Sequence, residues 1–476
     1  VTSLVARACA AGAIVLSVAA VSSCGRSAPP PPATGTPVSP AALPTPSPAA
    51  IPPTTPAAVV APQGDFIAVS QLVDADIAAR RLPGAVVQIG HGGKVVVRQA
   101  YGARRLASEP GLDGMFAPAE PMTVDTIFDL ASLTKIIVTT TAVLQLYEQD
   151  KVQIDDPVQT YLPDFNAGND PRRAQVTLRM LLTHTSGIGG DLSRQGPWGL
   201  TAADRADGLH RALTAPLEFT PAEVFHYSDI GFILLGTIVE RISGEPLDVY
   251  ARDNIFAPLG MADTRYLPAS QACGPYRIQG NALAFDPDGP RVNPCPDRTW
   301  NTDLLARVAP TARDEDTPGI NPHHGHLLRG TVHDPTARRM GGVAGSAGVF
   351  STVQDVGKYA QALLDRLAGR PSPFPLREST LEMMTTPQQP ATAGGGLRGF
   401  GWDIDTYQST PRGTVFPVGS FGHTGFTGVT VWMDPGSDSY VVVLANVIHQ
   451  RGGPPVVTLS GDVATAAARA LHLYGN

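Results

Sequence analysis

Strand-like sequence stands at both ends of the globular part of this chain, and that placement constrains the fold more than any other feature. Residues 84–89 and 94–97 are short apolar, β-branched runs joined by His91-Gly92-Gly93, the pattern of a hairpin. The same pattern returns at 427–433 and 440–446, on either side of Asp434-Pro435-Gly436-Ser437-Asp438. Between these ends, residues 178–182, 230–242, 247–256, 352–367 and 376–384 read as helices, and a last helix is expected over about 463–473. This order predicts an α+β fold: an antiparallel sheet built from both termini and flanked by helices, with a mainly helical lobe inserted. No internal repeat is present.

The first 62 residues are of a different kind. Arg7 precedes an apolar run at 8–20, which is too short to span a bilayer comfortably. It ends in Val21-Ser22-Ser23-Cys24-Gly25, small residues before a cysteine. Residues 1–24 therefore resemble a bacterial lipoprotein signal, with Cys24 as the lipidated residue; an ordinary cleaved signal is the alternative. Two or more acyl chains on Cys24 would anchor the protein stably to a membrane. Residues 25–62 hold thirteen prolines and one charge, Arg26, and are expected to form an extended, disordered tether. At about 3.1 Å per residue it could reach roughly 120 Å. Residues 63–476 are globular in composition and long enough for two packed lobes. Net charge is −7 with no basic stripe, so nucleic acid is excluded as a partner class.

Of four cysteines, Cys9 and Cys24 belong to the signal. Cys273 and Cys295 remain, and in an oxidising compartment they are expected to pair; two free buried thiols are the alternative.

Lysine is scarce: Lys94, Lys135, Lys151 and Lys358 are four among 35 basic residues. One of them completes Ser132-Leu133-Thr134-Lys135 at the head of an apolar helix over 131–149. Residues three apart share a helix face, so the amine lies against the hydroxyl, and the helix N-terminus adds a positive field. Unlike arginine, a buried lysine can lose its proton and serve as a base near neutral pH. A capping serine followed by a snorkelling lysine has the same spacing.

Two further motifs carry polar chemistry. Phe225-His226-Tyr227-Ser228-Asp229 precedes an apolar helix, with Asp229 placed to cap it and Tyr227 able to reach a cleft. Gly422-His423-Thr424-Gly425-Phe426 opens the C-terminal strand pair, where glycines would let a substrate backbone lie along the strand and N–H groups could face a carbonyl oxygen. A capping aspartate beside a packing tyrosine, and a plain glycine-rich turn, are the structural alternatives.

Together the three motifs resemble the serine β-lactamase and DD-peptidase superfamily, closest to the class C β-lactamase-like branch with its esterases and low-activity penicillin-binding proteins. Leu181-Leu182-Thr183-His184-Thr185-Ser186-Gly187 and the glycine-rich stretch at 341–348 reinforce the resemblance. It implies an exported serine hydrolase working through a covalent acyl-enzyme on an ester or amide, as a carboxylesterase or DD-carboxypeptidase does. A β-lactamase, or a sensor lipoprotein that acylates without turnover, are the alternatives. Ser132 would be the nucleophile, Lys135 and Tyr227 would share the base work, and the N–H groups of Ser132 and Phe426 would form the oxyanion hole. Asp229, His423, Thr424 and Gly425 would contact substrate. The implied partners are small esters, peptides or cell-wall stem peptides, and no cofactor or metal is implied. His423 stands where β-lactamases have lysine, and Asp229 where asparagine is common; both argue against efficient β-lactam hydrolysis.

His323-His324-Gly325-His326, with His333 and Asp334 after it, lacks the helical spacing of a metal site and reads as loop chemistry. Asp334, beside Arg329 and Arg338, is expected to be a loop-bracing charge pair, with a place at the border of the cleft as the alternative, and His184 to be a satisfied structural histidine.

Overall fold

A computed structural model describes residues 58–289, 292–449 and 456–475. The expected signal, Cys24 and most of the expected tether lie outside the described residues. Val60, at the tether's end, exchanges two backbone hydrogen bonds with Arg98 at 2.9 and 2.8 Å. Among the described residues no helix is long and apolar enough to cross a membrane.

In chain order, α1 (Ile67–Ala78) leads into the hairpin β1 (Gly84–His91) and β2 (Lys94–Arg105). A wide helical turn, Lys135–Thr140, runs into α2 (Thr141–Glu148). Then come α3 (Leu178–Leu182), α4 (Asp229–Ser243) and α5 (Val353–Leu367). The chain ends with β3 (Phe421–Gly425), β4 (Val429–Asp434), β5 (Ser439–Ala445) and α6 (Val456–Ala470).

The two ends build one sheet. Its eight strands lie in the order Leu397–Arg398, Asp403–Asp405, β3, β4, β5, β1, β2, Glu120–Pro121, all antiparallel. The N-terminal β1 pairs with the C-terminal β5 from Ala85↔Ala445 to His91↔Ser439. Both faces of these central strands are covered, which is why they read as unbroken apolar runs. Val69 and Val73 of α1, Val463 and Ala467 of α6, and Ala85, Val87, Val441 and Val443 of the sheet form one core. Val86, Val442 and Leu444 face the other way, into a larger core that continues through α2, α4 and α5. The sheet itself therefore separates the two hydrophobic cores.

Expected helices recur within a residue or two, except the last. It starts at Val456 rather than about 463, because Val456, Leu459, Ser460 and Val463 already bury a helical face against the sheet.

Cys273 and Cys295 are bonded, with Cα atoms 5.9 Å apart. A closed loop of this length restricts the unfolded chain, so replacing both cysteines by serine should lower unfolding free energy by about 3 kcal/mol in urea titration. A midpoint unchanged from the parent protein would show that the loop carries no such constraint.

Candidate active site

The turn holding Ser132 is set by the chain on either side. Leu130 N–H donates to Val349 O at 2.9 Å, and the buried Asp129 carboxylate accepts from Ala131 N at 2.9 Å and His333 N at 2.7 Å. Burial pushes Asp129 up to about 6 despite these donors. Ala131 is held at φ 45°, a left-handed conformation that costs a residue with a Cβ about 1–3 kcal/mol. The strand β3 closes against this turn. A Cβ on Gly425 would sit 2.4 Å from Val429 Cγ2 and 2.6 Å from Leu130 O, so this glycine serves close packing inside the protein.

Lys135 is fully buried, one turn beyond Ser132. Its Nζ donates to Ser132 Oγ at 2.9 Å and to Ser346 O at 2.9 Å, and lies 2.5 Å from Asp229 Oδ1. The Ser346 carbonyl reaches the amine because Gly345 lies against α4: a Cβ there would be 2.1 Å from Phe232 O. Burial by itself pulls the amine down, but the Asp229 carboxylate and the Tyr227 phenol outweigh it and hold Lys135 above the usual lysine range. The depressed amine expected from burial is thus not found in this resting arrangement. Asp229 also does not cap its helix. Ser228 does, its Oγ accepting from Gly231 N at 3.2 Å, which frees the aspartate for the lysine.

Tyr227 lies in the same cleft as Ser132, with the Lys135 Nζ 5.1 Å from its ring centroid. Burial raises the phenol and the Lys135 ammonium draws it back, leaving it above the ordinary tyrosine value. His184, expected to be a satisfied structural histidine, holds this tyrosine, although its buried Nε2 has no hydrogen-bond partner among the described residues. Its O accepts from His226 N at 2.8 Å, and its Nδ1 accepts from Ser228 N at 3.0 Å. The Tyr227 ring stacks on the imidazole between those two bonds, with centroids 4.3 Å apart. His184 therefore grips the residue before, the residue itself and the residue after. The motif at 181–187 pointed to the segment, but the grip depends on residues far along the chain.

His423 lies on the other side, 6.2 Å from Tyr227. It is buried, and its Nδ1–H donates to Thr424 O at 2.7 Å. Burial, with Arg398 and Lys135 adding to it, drives His423 well below the usual histidine value, so it is neutral at neutral pH. Thr424 is half-buried in β3.

Ser132, Tyr227, Asp229 and Phe426 line one cleft of about 550 Å³; His423, Thr424 and Gly425 do not. Phe426 is exposed and stacks on His333 at 5.7 Å. Among the described residues, neither Ser132 N–H nor Phe426 N–H has a hydrogen-bond acceptor within the protein. Both are free to meet a carbonyl oxygen in the cleft.

Asp334 lines the same cleft instead of bracing Arg329, which grips Glu120 at 3.0 and 2.7 Å. Arg338 donates to Asp314 at 2.7 Å, and His323 also reaches Asp314, at 3.3 Å. Asp334 caps the short helix Pro335–Arg339 through Ala337 N at 2.7 Å. Burial, then repulsion from Asp229 and Asp191, pushes its carboxyl up to about 7.

A model of the family described as Beta-lactamase matches residues 69–454. The chain belongs to the beta-lactamase family. It is 31% identical over 398 residues to an Escherichia coli O157:H7 protein named as a D-alanyl-D-alanine carboxypeptidase, covering 81% of this chain and 82% of that one. It is 29% identical over 394 residues to a Bacillus subtilis protein named N-acetylmuramyl-L-alanine amidase, with 80% of each covered. Among solved structures, simvastatin synthase (LovD) from Aspergillus terreus shares the fold. Its TM-score is 0.61 at 22% identity, over 87% of this chain and all of that one.

His184→Ala should slow acylation of Ser132 by a fluorophosphonate roughly 100-fold, because Tyr227 loses its support, while His184→Gln, keeping an acceptor for Ser228 N–H, recovers part of the rate. Stopped labelling at fixed times followed by mass spectrometry measures both. For Asp334, the folded pKa lies above the unfolded one, so its contribution to stability falls as pH rises from about 4 to 7. Asp334→Asn, which keeps a good cap, should gain more than about 1 kcal/mol on the parent between pH 4 and pH 8 in urea titrations. A constant difference across that range would contradict it.

Proposed function

We propose that this protein is a serine hydrolase that cleaves an amide of cell-wall stem peptides through an acyl-enzyme on Ser132, with simple esters as surrogate substrates. The observation that carries the reading is the Lys135 amine 2.9 Å from Ser132 Oγ, beside Tyr227, at a cleft with two N–H groups free for a carbonyl oxygen. The names carried by the two bacterial relatives, a carboxypeptidase and an amidase of cell-wall material, support the substrate class. The neutral His423 offers no fixed positive charge for a β-lactam carboxylate, which places β-lactamase activity second.

In the resting state Lys135 is an ammonium and cannot accept the serine proton. Asp229, 2.5 Å away, first takes a proton from the Lys135 ammonium, giving a neutral pair of carboxylic acid and buried amine. Ser132 Oγ then attacks the carbonyl carbon while its proton passes to Lys135 Nζ. The oxyanion meets the N–H groups of Ser132 and Phe426, each worth about 3 kcal/mol in comparable sites. As the carbon–nitrogen bond breaks, Tyr227 protonates the leaving amine. Lys135 restores the phenol and Asp229 returns its proton to Lys135. Water then attacks the ester carbonyl, releasing the acid and Ser132.

Export and anchoring through Cys24 belong to the same proposal and rest on the sequence. The bonded Cys273 and Cys295 agree with an oxidising compartment.

The test is intact-protein mass spectrometry with a fluorophosphonate, a p-nitrophenyl ester, a penicillin and a D-alanyl-D-alanine stem peptide, against Ser132→Ala. A Ser132-dependent adduct, with turnover of peptide and ester and slow or no turnover of penicillin, is expected. An adduct that persists with every probe would favour a non-turnover sensor, and labelling of Ser132→Ala would remove Ser132 from the reaction. Lys135→Arg should abolish acylation to within about 1% of the parent rate, since arginine keeps the charge but cannot act as a base. Asp229→Asn should convert a flat acylation rate between pH 6 and 9 into one that rises with pH, because the lysine proton must then leave to solvent. A profile that stays flat would take Asp229 out of the proton path.

A further inference from the structure

A second concavity of about 570 Å³ shares no lining residue with the Ser132 cleft. It lies between the helix Leu247–Ala251 with its continuation Arg252–Phe256, the short strand Arg265–Tyr266, and residues 298–300 just beyond Cys295. Its floor is aromatic. Phe256, Tyr266 and Trp300 are buried there, and the two polar rings already spend their hydrogens inside the protein. Trp300 Nε1 donates to Pro268 O at 3.0 Å and the Tyr266 hydroxyl to Ala344 O at 3.1 Å. What they offer the cavity is apolar surface.

The charged lining is mostly cationic: Arg252, Arg265 and Arg298 against a single carboxylate, Asp248. Arg252 is engaged by Asp253 through two bonds of 2.7 Å. Arg265 is not. One Nη2–H donates to Ala262 O at 2.5 Å, and its buried Nε–H has no acceptor among the described residues. The adjacent Asp263 carboxylate is taken by Arg307 on both oxygens, at 2.8 and 2.7 Å. Burial, offset only in part by Asp263 and worsened by Arg307, lowers Arg265 from the ordinary arginine value. A guanidinium with five donors and so few acceptors is an unsatisfied fork, and its planar geometry fits a carboxylate.

We propose that this pocket binds a small organic monoanion: a carboxylate on an apolar or aromatic body. The carboxylate sits on Arg265 and the body lies across Phe256 and Trp300. An aromatic concavity with one convergent charged group is the usual form of a small-molecule site. Of the three arginines Arg265 alone has a buried donor without an acceptor, its Nε, while Arg298 is exposed and Arg252 is held by Asp253; the charge matched to that one buried guanidinium is single.

The probe is 4-phenylbutyrate, titrated into the full chain by calorimetry and saturation-transfer NMR, with 4-phenylbutanamide as its uncharged counterpart. Binding below about 1 mM is expected, with the amide at least about tenfold weaker. Arg265→Gln should weaken the acid by about tenfold or more and leave the amide unchanged. Ala262→Trp, at the exposed rim, should fill the mouth and weaken both without touching the core, which keeps the test valid if Arg265→Gln fails to fold. Equal affinity for acid and amide, unchanged binding in Ala262→Trp, or no binding at about 10 mM would overturn the proposal. Loss in Arg194→Gln, in the Ser132 cleft, rather than in Arg265→Gln would place the probe at the other site and would overturn it equally.

Discussion

The ammonium of Lys135 has no exposure to water, so its charge must be met by protein atoms or it could not stay there. Its own helix head and two distant segments meet it: Ser132, Asp229 at the start of α4, and the Ser346 carbonyl in the glycine-rich loop. Satisfying one buried cation therefore fixes the relative position of the groups that the proposed chemistry needs. An asparagine at position 229 would leave the amine with dipoles alone; the aspartate stores a proton-accepting partner beside it.

The surroundings serve that arrangement by close packing. Gly425 lets β3 close on the backbone before Ser132, and Gly345 lets the loop carrying Ser346 lie on α4. Ala131 is held in a left-handed conformation, and Asp129 is buried between two backbone donors. The left-handed Ala131 and the buried Asp129 carboxylate are both costly, and both stand at the turn that presents Ser132 to the cleft. His184 holds Tyr227 by bonding the chain on both sides of it, whereas Asp129 ties the residue before Ser132 to the backbone at His333.

Much of the fold was legible because its signals are local. The β-branched runs near 84–97 and 427–446 announced strands at both ends, and the apolar residues 136–146 announced a buried helix. The start of the last helix was not legible, because its first turn is helical only against the sheet. At the site, the identities of Ser132, Lys135 and Tyr227 stood in short patterns. Serine and aspartate both cap helices well, so the pattern does not separate Ser228 from Asp229; Lys135 makes the choice by taking the carboxylate, and Ser228 caps.

The sequence alone determined which residue types are available, in what order, and that strands from the two ends must share a sheet. It also left Cys273 and Cys295 as the two cysteines of the globular part. Only the tertiary structure decided the charge state of Lys135, the neutrality of His423 and the grip of His184 on Tyr227. A local pattern sets which groups exist. A proton's position depends on burial and on charges within a few ångströms, and those neighbours here come from segments that lie far apart in the chain.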